Sequence, residues 1–184
     1  MSRTLILLFH PDPPHSKANA ALAAAARTVP SVEVVDMQAL YPGGAFELDR
    51  EVERLISADR LVLQFPVLWY STPPLLKAWQ DAVLTRMYYI RPDTEGRRLE
   101  GTPLMVAATA GNTPQAYSPE GVNRFPLPDL LFPLQAMASR CGLPWADPFL
   151  IYGANRLEES ELAAAGRRYA ERLREWIDAA PAPA

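Results

Sequence analysis

Residues 10–19 contain the groups that could bind an anion. Ser16 stands at the predicted start of a helix, Lys17 adds a positive charge, and His10 and Asn19 add hydrogen-bond donors. The first backbone N–H groups of a helix have no intrahelical acceptor, so a helix start beside a hydroxyl is typical of a phosphate site. The structural alternative is an ordinary capped helix behind a proline-stiffened loop, with His15 simply solvated.

Trp69 and Tyr70 lie in a turn between an apolar run at 61–65 and a helical pattern that starts at Leu75. Two exposed aromatic side chains there favour a flat ligand; a packed turn or a subunit contact would explain each of them singly. A helix start contributes only about 0.3–1 kcal/mol at an exposed site, whereas micromolar binding requires about −8 kcal/mol. A stacked ring would have to supply the rest, and a phosphate joined to a flat heterocycle describes a flavin nucleotide.

The elements that would position these segments alternate between strand and helix. Apolar runs predict strands at 4–9, 32–35, 61–65, 104–108 and 149–152, with helices at 17–28, 49–57, 75–87, 133–140 and 158–179. This alternation predicts an α/β fold, a three-layer sandwich whose five-stranded parallel sheet has the flavodoxin-like order 2-1-3-4-5. In that order the loop after strand one, the turn after strand three and a long structureless loop at 109–129 meet at one edge. Their convergence favours a ligand site.

Composition argues against several other classes of protein. The chain has 184 residues, 49% of them hydrophobic, which predicts a single domain over 1–184 with a frayed tail at 180–184. A net charge of −3 offers no basic surface for nucleic acid, and no apolar run approaches the roughly 20 residues that span a bilayer. We therefore expect a cytoplasmic protein without membrane insertion. Two histidines and one cysteine, Cys141, predict no metal site, and Cys141 is expected in the core.

Three segments carry a resemblance to a known family. They are His10-Pro11-Asp12-Pro13-Pro14-His15-Ser16-Lys17-Ala18-Asn19, then Pro66-Val67-Leu68-Trp69-Tyr70-Ser71-Thr72-Pro73-Pro74-Leu75-Leu76-Lys77-Ala78-Trp79, then Pro133-Leu134-Gln135-Ala136 with Cys141-Gly142. With them the chain resembles the flavodoxin-like NAD(P)H:quinone oxidoreductases. It is most similar to the branch that includes the ancillary subunits of glutathione-regulated potassium efflux systems. The similarity spans residues 4–176.

The resemblance implies a homodimer with tightly bound FMN or FAD in a cleft near the subunit boundary. It implies ping-pong chemistry, in which NADH or NADPH gives a hydride to the flavin and a quinone then takes two electrons. The protein would position the reactants and stabilise the negative charge of the reduced flavin. A partner transporter would bring the cytoplasmic protein to the periphery of the inner membrane.

The residues that would bind the cofactor are carried over position by position. The phosphate segment is represented by His10, Ser16, Lys17, Ala18 and Asn19. The turn that holds the isoalloxazine ring is represented by Pro66, Val67, Leu68, Trp69 and Tyr70. The loop over the polar edge of the ring is represented by Thr109, Ala110, Gly111 and Asn112.

The loop after strand four departs from the family pattern. Relatives typically have Thr-Thr-Gly-Gly where this chain has Thr-Ala-Gly-Asn. The replacement of a glycine by Asn112 reduces the number of backbone conformations available near the ring. Tyr117 could fill the role of a catalytic loop tyrosine or be an ordinary loop residue. Asn123 stands roughly where a catalytic histidine is expected, and its neutral amide can donate a hydrogen bond but cannot become cationic.

Three hypotheses about function follow. The first is a flavin-dependent NAD(P)H oxidoreductase that reduces quinones. The second is a flavin-loaded regulatory subunit of a potassium efflux transporter with weak or vestigial catalysis. The third is a flavin-free structural protein, in which Asn112 blocks the ring.

Overall fold

A five-stranded parallel sheet forms the middle layer of the protein. The computed structural model describes residues 3–179, with only the backbone of Pro14, so the predicted tail at 180–184 lies outside the described residues. The strands are β1 Thr4–Leu8, β2 Val32–Asp36, β3 Arg60–Pro66, β4 Leu104–Thr109 and β5 Phe149–Ile151. They lie in the order β2-β1-β3-β4-β5, and every neighbouring pair is parallel. The predicted order 2-1-3-4-5 is confirmed.

Helices form the two outer layers. They are α1 Ala18–Ala26, α2 Met37–Leu40, α3 Leu48–Ile56, α4 Pro74–Trp79, α5 Phe132–Arg140 and α6 Glu159–Ala179. α4 continues through two wider π-helical turns, Gln80–Leu84 and Arg86–Ile90. Among residues 3–179, no helix combines the length and the apolar character that a membrane crossing requires.

Two hydrophobic cores separate the sheet from the helices. Successive side chains of a strand point to opposite faces, so Leu5 and Leu7 of β1 pack with Trp79 of α4, whereas Ile6 packs with Tyr169 of α6. Complete burial of one such apolar side chain contributes about 1.5–3 kcal/mol. The sheet edge that carries the loops is therefore held rigidly from both sides.

The entry to α1 differs from the prediction. The N-cap position is Lys17, whose side chain makes no capping hydrogen bond. Ser16 instead closes a 3-10 turn, Pro13–His15, by donating its N–H to the carbonyl oxygen of Pro13 (3.1 Å). The expected cap at Ser16 is wrong, because the preceding prolines fix φ at helical values and need no N–H in a first turn.

The segment 109–129 is also more ordered than predicted. It contains the 3-10 helix Pro114–Tyr117 and the start of a second one, Leu127–Leu131. Thr113 begins the first of these, and its hydroxyl accepts a hydrogen bond from the Ala116 N–H (3.4 Å). Proline in the first turn of each helix, Pro114 and Pro128, again favours these short turns.

The end of α5 follows its sequence signals. Gly142 comes one residue after the C-cap and has φ +65°, the left-handed conformation in which glycine is preferred after a helix. Cys141 before it is buried, as expected of a core residue, and burial raises the pKa of its thiol to about 11. Cys141 is therefore a protonated thiol at neutral pH.

Candidate functional site

A cavity of about 320 Å³ opens at the carboxyl ends of β1, β3 and β4. It is lined by residues from four separate loops: His10, Asp12, His15, Ser16, Lys17, Ala18, Asn19, Pro66, Thr109, Ala154 and Asn155. Seven of these were predicted as cofactor-binding residues, namely His10, Ser16, Lys17, Ala18, Asn19, Pro66 and Thr109. The carboxyl ends of parallel strands meet at one edge, where ligands of open α/β sheets bind.

His10 has a defined hydrogen-bonding state in this cavity. The Asp12 N–H donates to His10 Nδ1 (3.1 Å). An imidazole nitrogen that accepts a hydrogen bond carries no proton, so neutral His10 has its proton on Nε2 and can donate from there. Burial lowers the pKa of His10, and the Asp12 and Asp36 carboxylates oppose that shift. His10 can therefore serve as a neutral donor at the cavity.

His15 makes a separate surface pair. Its Nδ1 lies 2.8 Å from Asp12 Oδ2, and both side chains are largely exposed. Even a fully charged pair at such an exposed site contributes only about 0–1 kcal/mol, so this contact orients the loop more than it stabilises it. Within the described part of the chain, no cluster of three His, Cys, Asp or Glu side chains is arranged to hold a metal ion.

The loop after β5 contributes Ala154 and Asn155, which the sequence prediction missed. The Ala154 N–H donates to the carbonyl oxygen of Ala110 (2.9 Å), and the Gly153 N–H donates to that of Asn112 (2.8 Å). A Cβ atom added to Gly111 would lie 3.0 Å from Asn155 Nδ2, so glycine leaves room for this amide. The available signal was that β5 ends at the same sheet edge as β4.

Trp69 and Tyr70 occupy a tight hairpin turn. Leu68 and Ser71 exchange backbone hydrogen bonds of 2.9 and 3.0 Å. Trp69 has φ +46° and Tyr70 has φ +63°, both in the left-handed region that disfavours side chains larger than glycine. Two consecutive positive φ angles are typical of the type I′ hairpin turn, which prefers Asn-Gly. Each left-handed residue costs on the order of 1–3 kcal/mol, and such strain clusters at functional sites.

The strained turn is tied to its neighbours but stands outside the cavity. The Val67 N–H donates to the carbonyl oxygen of Thr109 (2.8 Å), and the Tyr70 hydroxyl donates to Asn123 Oδ1 (3.3 Å). Trp69 is 94% exposed, so its indole presents almost its whole surface to solvent. Pro66 lines the 320 Å³ cavity, whereas Val67, Leu68, Trp69 and Tyr70 do not.

Tyr117 stands beside a second tyrosine that the sequence prediction missed. Its ring meets that of Tyr152 edge-on, with 5.9 Å between centroids. Burial raises the pKa of Tyr117, and the nearby Tyr70 and Tyr152 hydroxyls act in the same direction. Tyr117 is therefore a protonated phenol at neutral pH and can donate a hydrogen bond.

The loop Thr109-Ala110-Gly111-Asn112 adopts ordinary backbone conformations. Within residues 3–179, the non-glycine residues with positive φ are Ser31, Trp69, Tyr70 and Arg124, so Asn112 does not occupy a glycine-only conformation. Its Oδ1 accepts a hydrogen bond from the Thr113 N–H (3.1 Å). The replacement of a family glycine by Asn112 therefore causes no backbone strain.

Two curated relatives are similar over almost their whole length. The glutathione-regulated potassium-efflux system ancillary protein KefG of Cronobacter sakazakii is 38% identical over 168 residues, covering 91% of this chain and 90% of the relative. The uncharacterized NAD(P)H oxidoreductase YdeQ of Bacillus subtilis is 33% identical over 171 residues, covering 93% of this chain and 86% of the relative.

Solved structures give the same fold. General stress protein 14 of Treponema denticola, solved in complex with FMN, is 28% identical with a TM-score of 0.82, covering 96% of this chain and 98% of that one. A thermophilic tryptophan halogenase from Streptomycin violaceusniger is 36% identical with a TM-score of 0.85, covering 92% and 97%. The family model for the flavodoxin-like fold matches residues 2–175. The chain therefore belongs to the flavodoxin-like family, as the motifs indicated.

Proposed function

We propose that this protein is a flavin-dependent NAD(P)H oxidoreductase that reduces quinones by two electrons in a ping-pong cycle. One observation carries the proposal: a donor-lined cavity and a strained, exposed aromatic turn share one edge of the sheet, joined by the Val67–Thr109 hydrogen bond. When bound, FMN or FAD would supply the redox chemistry by taking a hydride from NADH or NADPH and passing two electrons to the quinone.

The chain's residues fit the phosphate of such a cofactor. The first turn of α1 faces the cavity through Ala18 and Asn19, and the backbone N–H groups of a first turn suit an anion. Lys17 adds a positive charge, the Ser16 hydroxyl adds a donor, and His10 adds its Nε2–H. The cavity volume of about 320 Å³ lies at the lower end of the range for small-molecule sites, which suits the phosphate end of a ligand whose ring lies outside it.

The aromatic turn would hold the ring. Phosphate at a helix start contributes only about 0.3–1 kcal/mol, so most of the affinity must come from burial of the flat ring. The residues that would contact the ring are Val67, Leu68, Trp69 and Tyr70. The two aromatic side chains among them can bury a large area against a flat ligand. The backbone strain at Trp69 and Tyr70 supports a functional role for the turn. Packing alone gives no reason to place aromatic residues at two positions with left-handed backbone conformations.

Tyr117 and Asn123 would stabilise negative charge on the reduced ring. The Tyr117 hydroxyl is a donor at neutral pH, as the direction of its pKa shift indicates. Asn123 Oδ1 accepts from Tyr70, which leaves the Nδ2 amide of Asn123 as a donor. Neither group carries a positive charge, so the stabilisation comes from hydrogen bonds aimed at developing charge.

The decisive experiment starts from the purified protein. We expect a flavin absorbance band, release of FMN or FAD on denaturation, and anaerobic bleaching of the band by NADH or NADPH. Added quinone should then restore the band. The same anaerobic sample without quinone serves as the control, and its flavin should stay reduced. A flavin band that neither nicotinamide donor bleaches would contradict the oxidoreductase proposal.

A regulatory role on a potassium efflux transporter is the second candidate, favoured by the similarity to KefG. We infer that the protein would act in such a complex as a homodimer. Large apolar side chains that are exposed in the single chain would form the contact between the two subunits. They include Tyr89, Ile90, Phe125 and Phe132. Co-purification with a transporter and slow turnover would support this role, whereas brisk quinone reduction by the isolated protein would favour the enzyme.

A further inference from the structure

Gln64 is a polar side chain buried inside the central strand. It lies in β3 between Leu63 and Phe65 and is 0% exposed. Its Nε2 donates to the backbone carbonyl oxygen of Asn19 (2.9 Å) and approaches Asn19 Oδ1 (3.3 Å). Among the described residues, its Oε1 has no hydrogen-bond partner. A buried amide with one unsatisfied atom costs stability, so a residue of this kind in an apolar run needs an explanation.

Asn19 extends the contact to the neighbouring strand. Its Nδ2 amide donates to Thr109 Oγ1 (2.9 Å), and both side chains are nearly fully buried. A chain of side-chain hydrogen bonds therefore runs from β3 through the first turn of α1 to the end of β4. One of the two Nδ2 hydrogens of Asn19 is therefore used in a hydrogen bond within the protein.

We infer that Gln64 is a positioning residue that fixes the phosphate-binding turn of α1 against the ends of β3 and β4. The inference rests on the proposed function. Gln64 does not line the 320 Å³ cavity and would act through Asn19, which lies in the first turn of α1 and lines the cavity. The same chain of bonds sets the position of Thr109, whose carbonyl oxygen receives the N–H of Val67. Gln64 thus fixes the position of the phosphate-binding turn relative to the turn that is proposed to bind the ring.

The test compares ligands that differ only in the phosphate. Riboflavin has the ring of FMN without its phosphate. The ratio of the FMN affinity to the riboflavin affinity therefore measures how much the phosphate contributes to binding. Gln64→Met keeps the length of the side chain and removes its hydrogen bonds. We expect FMN affinity to fall about three- to fivefold and riboflavin affinity to change less than about 1.5-fold, in titrations of the apoprotein.

Val62→Ala is the matched control. Val62 is fully buried in the same strand and on the α1 side of the sheet, but it makes no hydrogen bond to Asn19. We expect Val62→Ala to lower the Tm while leaving the ratio of FMN to riboflavin affinity unchanged. If Gln64→Met lowered the affinities for FMN and riboflavin equally, or lowered neither, the inference would be overturned. Gln64 would then have only a structural role in the core.

A double-mutant cycle tests the path through Asn19. Gln64→Met and Thr109→Val remove opposite ends of one hydrogen-bond chain, so their effects on the affinity ratio should not add. Additive effects would mean that the two residues act independently and would contradict the proposed chain.

A measurement on the wild type decides the case in which Gln64→Met does not fold. We expect the side-chain amide signals of Gln64 and Asn19 in NMR spectra to shift when FMN binds and to shift much less with riboflavin. Equal shifts would overturn the inference. A wild type that binds neither ligand would instead contradict the proposed function, so the two failures are distinguishable.

Discussion

His10 combines a fixed tautomer with partial burial at the edge of the cavity. Its Nδ1 accepts the Asp12 N–H, and protonation would destroy that hydrogen bond. Burial lowers its folded-state pKa below the ordinary value of 6.5. The unfolded chain therefore binds the proton more readily, and the stability that neutral His10 contributes is present above pH 6.5 and lost as the pH falls through the folded pKa.

This linkage predicts a pH-dependent difference between two proteins. Wild type should lose more of its free energy of unfolding than His10→Gln between pH 7.5 and pH 5, because only the wild type has a residue 10 that binds a proton more readily in the unfolded chain than in the folded protein. Urea unfolding at both pH values measures the difference, and other titrating groups cancel in the comparison. An equal loss in both proteins would show that His10 has no stabilising role as a neutral base.

Ser16 tests the anion site by charge. Ser16→Asp places a carboxylate in the cavity, where it would repel the phosphate of FMN. We expect FMN affinity to fall at least tenfold, about 1.4 kcal/mol, measured by titration of the apoprotein. Ser160→Asp adds the same charge in the first turn of α6, outside the cavity, and should leave the affinity unchanged. Unchanged FMN affinity in Ser16→Asp would mean that the phosphate lies elsewhere.

At the scale of secondary structure, the hairpin turn holds strain that can be separated from its aromatic surface. Trp69→Gly relieves the left-handed conformation and should raise the free energy of unfolding by about 1 kcal/mol, because the 94% exposed indole contributes little packing. Trp69→Ala also removes the indole but keeps the strain, so it should not stabilise the protein. Urea unfolding distinguishes the two variants.

Both variants of the turn should lose flavin or turnover, since both lack the indole. Retention of full flavin and full rate in Trp69→Ala would assign the turn to packing alone. Loss of function together with a gain of stability in Trp69→Gly is the combination that a strained functional turn predicts.

Glu51 joins three elements through one buried carboxylate. It is fully buried and accepts hydrogen bonds from the Tyr41 hydroxyl (2.9 Å), Trp79 Nε1 (2.9 Å) and Arg54 Nε (3.1 Å). Burial and the Glu51 carboxylate raise the pKa of Tyr41 to about 12, so the phenol stays a donor. This contact connects α3 with α4 and with the segment that follows α2.

Removal of that carboxylate should be costly. We expect Glu51→Ala to lower the free energy of unfolding by about 3 kcal/mol, because it leaves the Tyr41 hydroxyl and Trp79 Nε1 without an acceptor and Arg54 with only its longer contact to Glu33 (3.7 Å). Thermal or urea unfolding measures the loss. Glu53→Ala in the same helix changes an exposed residue and should stay within about 0.5 kcal/mol of wild type. A similar small effect for Glu51→Ala would contradict the role of the carboxylate.

At the scale of the whole molecule, exposed apolar side chains predict self-association. Tyr89 and Ile90 are about 70% exposed at the end of the α4 extension, and the Tyr89 ring contacts the guanidinium of Arg140 on α5. Exposed apolar surface of this kind marks interaction sites. Light scattering should give a mass near twice 20.4 kDa for the wild type.

Ile90→Asp should convert the protein to a monomer of about 20.4 kDa without unfolding, since the side chain is exposed in the isolated chain. Ala163→Asp on exposed α6, on the opposite layer, is the control and should keep the wild-type mass. A monomeric wild type, or an Ile90→Asp variant that stays dimeric, would argue against this surface as the subunit boundary.

The sequence by itself determined the fold and the edge of the sheet that carries the site. Apolar runs alternating with helical patterns require parallel strands with helices on both faces, and the carboxyl ends of those strands then meet at one edge. The three loops at His10, Pro66 and Thr109 could be predicted because each of these residues directly follows a predicted strand. Their residue types were visible without any structure.

Only the tertiary structure decided how those residues are used. The bond that joins Asn19 to Thr109 spans 90 residues, and the one from Gln64 to Asn19 spans 45. Asn155 lines the cavity and Tyr152 contacts Tyr117 because β5 pairs with β4. The left-handed conformations of Trp69 and Tyr70 arise where the Leu68–Ser71 hairpin closes. Local patterns encode strands and helices, whereas long-range packing and hydrogen bonding select the conformation and the partner of each side chain.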